Sequence, residues 1–417
     1  MIQKKYLLWI FIYKTLFEIT YYFSVSPEYS YYGLRSSLSF SKFLVSTAVT
    51  ILVVILMPQN RERPSTVLIN ILFITTIIPI ASYYWLANQS TEYFLYVSIS
   101  YFTTLIILRS KKRLRIKLIK KELNISIRLA NVIFIMSSLL VIVFMWKYGG
   151  IDVRAFDFSS VYELRKEAQY SGIWIYLTNW LGKALIPGVI IIYAYKRKYF
   201  LLIMSVVLQI LLYTSTGHKT FLLSIGLILM YYYLLKKNVS LQSYPKVYSF
   251  LLALSIFAKH VLNEGILISL FPVRMLSIPA WLNFIHFDFF KENKKLYFSE
   301  GLIGKIFGIE YPYNEPSTFL VSPWNSQANT GFFADAYDNG GLIIMVIFAV
   351  IFSLILIYID SLSIGRNNRY IFTVLFVYPT IILNDSALLT ALLTSGLLII
   401  LIYMYLFASE EMNAEKT

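Results

Sequence analysis

Stretches of about 20 apolar residues, the length that spans a bilayer as a helix, recur from one end of this chain to the other. Few folds accommodate that pattern. In hydrocarbon every backbone N–H and C=O must find a partner within the protein, so such stretches become helices and pack against one another. Of the 417 residues, 58% are hydrophobic and only 14% are charged, where a soluble domain carries about a quarter charged residues. The pattern predicts an all-α polytopic membrane protein with about twelve transmembrane helices: 6–25, 41–57, 66–87, 93–109, 129–148, 173–195, 199–215, 219–235, 247–268, 341–360, 370–386 and 387–407. The seventh and eighth spans, and the eleventh and twelfth, read as hairpins with very short turns. The first span lacks a small-residue cleavage site, so it reads as a retained helix. With no cysteine in the chain, disulfides and thiolate chemistry are excluded.

The net charge of +15 is largely a matter of topology. Lys4, Lys5, Arg61, Arg63, Lys196, Arg197, Lys198, Lys236, Lys237, Lys246, Arg366 and Arg369 fall in alternate loops, together with the basic block between Arg109 and Lys121. The positive-inside rule makes that side cytoplasmic, with both termini on it. The basic block is explained by orientation and contact with anionic headgroups, and nucleic acid is excluded as a partner.

The whole chain, 1–417, reads as a single integral membrane domain with three polar elements on the external face. The first is the loop 149–172, where Ser160-Val-Tyr-Glu163 fits a capping box ahead of a short helix from Val161 to Tyr170. That helix would carry Arg165, with Arg154 preceding it. Arginine's planar fork suits phosphate, although pairing with Asp152, Asp157, Glu163 and Glu167 explains these charges equally well. The second is the tip Thr214-Ser-Thr-Gly-His218-Lys219, where His218 is a general-base or phosphate-binding candidate. The third is the long segment 269–341. It is read as one large loop with short interfacial helices, among them 280–292, whose Trp281, Phe284, Ile285, Phe289 and Phe290 would anchor at the membrane surface. Arg274 and His286 flank or belong to that stretch. Within the spans, Lys14 and Glu18 lie one turn apart, Lys183 precedes Pro187, and Lys259, His260 and Glu264 cluster in the ninth. Charges at such depth mark either an aqueous path or a structural ion pair. No nucleotide loop, zinc pattern or serine nucleophile elbow is present.

The long segment closes with Ala328-Asn329-Thr330-Gly331-Phe-Phe-Ala-Asp335-Ala-Tyr337-Asp-Asn-Gly340-Gly341, leading straight into an apolar helix. This run, the Tyr162-Glu-Leu-Arg165 element and the Gly-His-Lys219 tip resemble the Wzy-type O-antigen and capsule repeat-unit polymerases. The resemblance implies an enzyme of lipopolysaccharide or polysaccharide biosynthesis in the bacterial cytoplasmic (inner) membrane, a glycosyltransferase. The donor would be a growing glycan on undecaprenyl pyrophosphate and the acceptor a single lipid-linked repeat unit, with membrane lipid and a chain-length regulator protein as further partners. It implies no cofactor and no metal, since cations suffice for a pyrophosphate leaving group. Arg165, Lys219 and Arg274, with Arg154 next, would hold the pyrophosphate. His218, His286 or Asp335 would orient or deprotonate the acceptor hydroxyl, and Asn329, Tyr337, Trp281 and Trp324 would line the sugar site. An O-antigen ligase and a lipid-linked oligosaccharide flippase or other transporter are the competing readings.

Overall fold

In the computed structural model, residues 2–110, 125–156, 170–322, 329–364 and 369–414 are described. Arg165, Trp324, all but Tyr170 of the expected 161–170 helix, and most of the basic block lie outside them. The described residues form helices and connections without a strand. In order the main helices are α1 (Ile2–Thr20), α2 (Phe40–Leu56), α3 (Pro64–Leu86), α4 (Thr91–Arg109), α5 (Ile125–Tyr148), α6 (Ile173–Tyr195), α7 (Tyr199–Thr216), α8 (Lys219–Lys236), α9 (Ser243–Leu262), α10 (Ile266–Glu292), α11 (Phe332–Leu362), α12 (Tyr370–Ile382), α13 (Leu388–Leu393) and α14 (Leu397–Ala414), with two short helices, Leu302–Phe307 and Ser317–Leu320, between α10 and α11. Nine of these are long and apolar enough to cross a membrane, and α2, α12 and the apolar part of α14 are shorter apolar helices. The chain is an all-helical protein of polytopic membrane type.

Polar contacts fix which helix ends lie together. Arg61 donates to the Asn238 carbonyl, Arg369 pairs with Glu62, and Arg63 donates to the Leu108 carbonyl. The ends of α3, α4, α8 and α12 beside these residues therefore share one end of the bundle, rich in cations. Glu92 and Lys219, at the other ends of α4 and α8, mark the opposite end. Ser100 donates to the Met345 carbonyl and Thr104 to that of Ala349, so α4 and the long arm of α11 run side by side between the two.

At the cation-rich end, Asp360 ties α3 to α11. Its carboxylate accepts from Arg63 Nε at 2.8 Å, from the Ser65 backbone N–H at 2.9 Å and from Ser65 Oγ at 2.7 Å. It thereby caps the start of α3, whose Pro64 needs no donor partner. Midway along α3, a π turn at Phe73–Ile77 disturbs the regular ladder. Buried tyrosines bond carbonyls around it: Tyr101 donates to Ile69 and Tyr13 to Ile74. The Lys14–Glu18 pair is structural. Glu18 Oε1 also accepts from Ser82 and from the Trp85 indole, which ties α1 to α3.

The long segment departs from expectation. It is not one loop, because its first 24 residues, Ser269–Glu292, belong to the 27-residue helix α10. Pro272 and Arg274 interrupt the apolar run, but a π turn over Ser269–Ser277 absorbs the proline, and Ser277 Oγ donates to the Pro272 carbonyl at 2.8 Å. Nor is 280–292 an interfacial helix. Phe284, Phe287 and Phe290 are buried, and Trp281 packs against Gly33. Both ends of α10 meet the Glu92 end of the bundle: Ile266 lies near Lys219, and Lys291 pairs with Glu92. The helix, about 40 Å long at 1.5 Å per residue, thus slants across that end and returns the chain to the side from which it started.

The segment's last part is helical too. α11 begins at Phe332, nine residues before the expected start of the span, and it turns back on itself. Gly341 has φ 66° and ψ −153°, open to glycine alone, and Phe332 stacks near Phe348 and Phe352, which a straight helix would carry far away. Phe332–Asn339 is therefore a half-helix folded against the long arm that follows. The eleventh and twelfth spans are likewise not a plain hairpin: α12 ends at Ile382, and α13 intervenes before α14.

Replacing Asp360 by Ala strands Arg63 without its carboxylate and uncaps α3. Breaking a buried pair from one side costs about 3–5 kcal/mol, so the melting temperature in detergent should drop clearly, and an unchanged melt would remove Asp360 from this role.

Candidate functional site

The tip between α7 and α8 is built as turn chemistry demands. Gly217 closes α7 at φ 66°, its N–H donating to the Tyr213 carbonyl at 2.8 Å, and His218 precedes the first residue of α8. That residue, Lys219, lines a cleft of about 320 Å³ together with Arg274, Tyr29, Ser269, Gly265, Ile266 and Leu270. Two of the cations singled out in the sequence, 55 residues apart in the chain, thus meet at one opening. The π turn helps place one of them, because the wider turn carries Arg274 within it. The charge of Arg274 also acts on the exposed Tyr31. Two cations beside hydroxyls suit an anion bearing several oxygens. At the rim Lys259 pairs with Glu28, and His260 Nε2 lies 3.0 Å from Ser24 Oγ.

A second cluster forms where the half-helix of α11 packs on the far part of α10. His286 Nδ1 lies 2.6 Å from Asp338 Oδ2, both groups fully enclosed. Tyr93 donates to Asn283 Oδ1 at 2.7 Å, and the Leu296 N–H donates to the Asp338 carbonyl. The ammonium of Lys295 sits 3.3 Å from the centre of the Tyr337 ring, a close cation–π contact. His286 Nε2, Asp338 Oδ1 and Lys295 Nζ are buried without a protein hydrogen-bond partner among the described residues. Asn339 accepts from the Phe298 N–H and donates to Asp335, joining Asp335 to the cluster's edge.

The remaining sequence candidates are dispersed. His218 Nε2 contacts the Tyr170 hydroxyl at 2.7 Å. Arg154 forks onto Asp152 in an exposed pair, and those hydrogen bonds hold the Asp152 carboxyl below its ordinary range. Asn329 is exposed beside the half-helix. Trp281 and Tyr337 are buried and offer no open ring face to a sugar. His286 is enclosed as a partner of Asp338 rather than presented at a loop surface.

Sequence reasoning passed over three residues: Lys295, Asp338 and Asp385. Asp338 stands three residues after Asp335, on the same helix face, and that spacing was the available signal. Asp385 is an acid at the junction of two apolar runs, where a hairpin turn made it look ordinary. Among the described residues no group of three or more His, Asp or Glu is arranged to hold a metal ion.

Burial pulls the Lys295 pKa from 10.5 down to about 8, against the opposing charges of Asp338 and Glu92. Between about pH 8 and 10.5 the folded chain then binds fewer protons at this residue than the unfolded one. Stability should rise with pH through that window. Thermal unfolding of Lys295→Met against wild type across the same range checks it: the variant should lack the increment, and matching pH curves would refute the assignment.

Compared with known proteins, this chain matches no family model, no curated protein and no solved structure.

Proposed function

We propose that this protein is a membrane-embedded glycosyltransferase that polymerises undecaprenyl-pyrophosphate-linked oligosaccharide repeat units in the bacterial cytoplasmic membrane. The observation that carries the reading is the cleft shared by Lys219 and Arg274. It opens at the end of the bundle opposite the cation-rich ends of α3, α8 and α11, and the positive-inside rule makes that end external. About twelve crossings with both termini inside remain consistent with the helices, because α10 begins and ends on the same side.

In this reading the cleft receives the pyrophosphate of the lipid-linked chain, whose isoprenoid lies in the surrounding bilayer. Lys219 and Arg274 neutralise the charge that grows on the pyrophosphate as its bond to the anomeric carbon lengthens. Tyr29 and Ser269 supply hydroxyls to its remaining oxygens. The acceptor sugar approaches from the side of the segment between α10 and α11, where Asn329 is exposed.

A second reading is favoured by the broken helices, since discontinuous spans with facing ends are also how transporters build sites within the membrane. An O-antigen ligase would use the same pyrophosphate cleft with a different acceptor. Deleting the gene and resolving the surface glycan on a gel separates the three. Loss of a polymerase leaves single capped repeats, loss of a ligase leaves long chains still on the carrier lipid, and loss of a flippase leaves no surface repeats. A wild-type ladder in the deletion strain would sink the proposal.

For the purified protein in nanodiscs, Lys219→Ala and Arg274→Ala should each weaken undecaprenyl pyrophosphate binding about tenfold or more, the worth of a charge-assisted hydrogen bond. Unaltered binding in both would take the cleft out of the site.

A further inference from the structure

Three chain breaks come together beside the two-cation cleft. The Phe332 N–H, at the start of the half-helix, donates to the Leu383 carbonyl at 2.9 Å. Gly331 lies so close to the Asn384 carbonyl that a Cβ there would come within 2.5 Å of it. Asn384 Nδ2 in turn donates to the Met275 carbonyl at 2.6 Å, inside the π turn of α10. The residue these contacts hold in place is Asp385, in the interval between α12 and α13. Its side chain is exposed, although Leu383, Asn384 and Leu388 around it are buried.

Asp385 is joined to each cleft cation by one short link. Asn384, its neighbour, bonds Met275, the residue after Arg274. Tyr378, whose hydroxyl feels the Asp385 charge, donates to the carbonyl of Thr220, the residue after Lys219. Facing the acid from α6 is Lys183, the cation that acts on it electrostatically. Lys183 also sits in a π turn, next to Gly182, which packs directly against Phe221 of α8. Charged groups reaching Asp385 thus come from α6, with those of α8 and α10 just beyond.

We infer that Asp385 is the general base of the transfer proposed above, a role that rests on that reading. The acceptor sugar's hydroxyl oxygen forms the new bond to the donor's anomeric carbon. The bond from that carbon to the pyrophosphate oxygen breaks, and its electron pair leaves with the pyrophosphate held by Lys219 and Arg274. The hydroxyl proton passes to the Asp385 carboxylate and from there to water. Placing the base on a broken helix gives it solvent on one side and fixed backbone on the other. Lys183 is a positioning residue whose charge acts on the carboxylate from α6.

The test uses the full-length protein in nanodiscs, undecaprenyl pyrophosphate for binding, and the strain's own lipid-linked repeat unit for transfer. Asp385→Asn should lower the transfer rate about 100-fold or more, the usual range for losing a general base, while undecaprenyl pyrophosphate binding stays near wild type. Wild-type transfer should fall toward acid pH as the carboxylate gains its proton, and the residual rate of D385N should lack that limb. Near-normal transfer by D385N overturns the role, as does loss of binding together with transfer. If D385N fails to insert, Asp385→Glu decides: a displaced acid limb supports the role and an unmoved one overturns it. Failure of the wild type to bind undecaprenyl pyrophosphate would instead overturn the polymerase reading, and the base with it.

Discussion

The constraint on which this structure depends is that backbone groups inside a membrane must find partners within the protein. An unbroken helix meets it alone, whereas every break needs partners from elsewhere, and the chain supplies them. The π turn in α3 is bracketed by tyrosines from α1 and α4, and that in α10 by Ser277 and Asn384. The start of the half-helix is joined to the end of α12 through Phe332 and Leu383. Satisfying one break with another draws them together, which is why the interruptions in α10, α11 and α12 are neighbours in space. Irregular backbone and polar side chains are thereby concentrated in one region, where a substrate can be met without opening the rest of the bundle.

The ionisable groups divide by how fully they are satisfied. Glu18 accepts from Lys14, Ser82 and Trp85, and Asp360 from Arg63 and Ser65. Carboxylates so engaged hold helices in register. His286, Asp338 and Lys295 are different, since each keeps one buried polar atom without a hydrogen-bond partner among the described residues. Such atoms carry a desolvation cost of about 1–3 kcal/mol each unless water or a ligand group completes them.

Much of the fold was legible in the sequence because hydropathy records it directly: α3 to α9 fall within a few residues of the expected spans, and the cation-bearing ends do share one end. The long segment was misjudged for a physical reason. Hydropathy sees Pro272, Arg274, Asn283 and His286 as reasons to leave the membrane, but the groups that make them tolerable come from distant parts of the chain. Tyr93 answers Asn283, Asp338 answers His286, and a π turn accommodates Pro272. Pairing across such separations leaves no local periodicity to read. The site was legible in the same uneven way. Lys219 and Arg274 stand out as cations near apolar runs, whereas Asp385 matters only through its neighbours in space.

The Gly340–Gly341 pair shows how a short motif can carry structural meaning without naming a residue that does chemistry. In the sequence it reads as the close of a loop ahead of a span. In the fold it reverses a helix, setting Asp335, Tyr337 and Asp338 on an arm that leans back along α11 toward α10. A side chain at Gly341 would force that arm out of its path, and the contacts of Asp338 with His286 and of Phe332 with Leu383 would be lost together. The motif's contribution is the geometry of the neighbouring residues, so a search for function in its own atoms would find nothing, while the half-helix it permits links the buried histidine cluster to the break that holds Asp385.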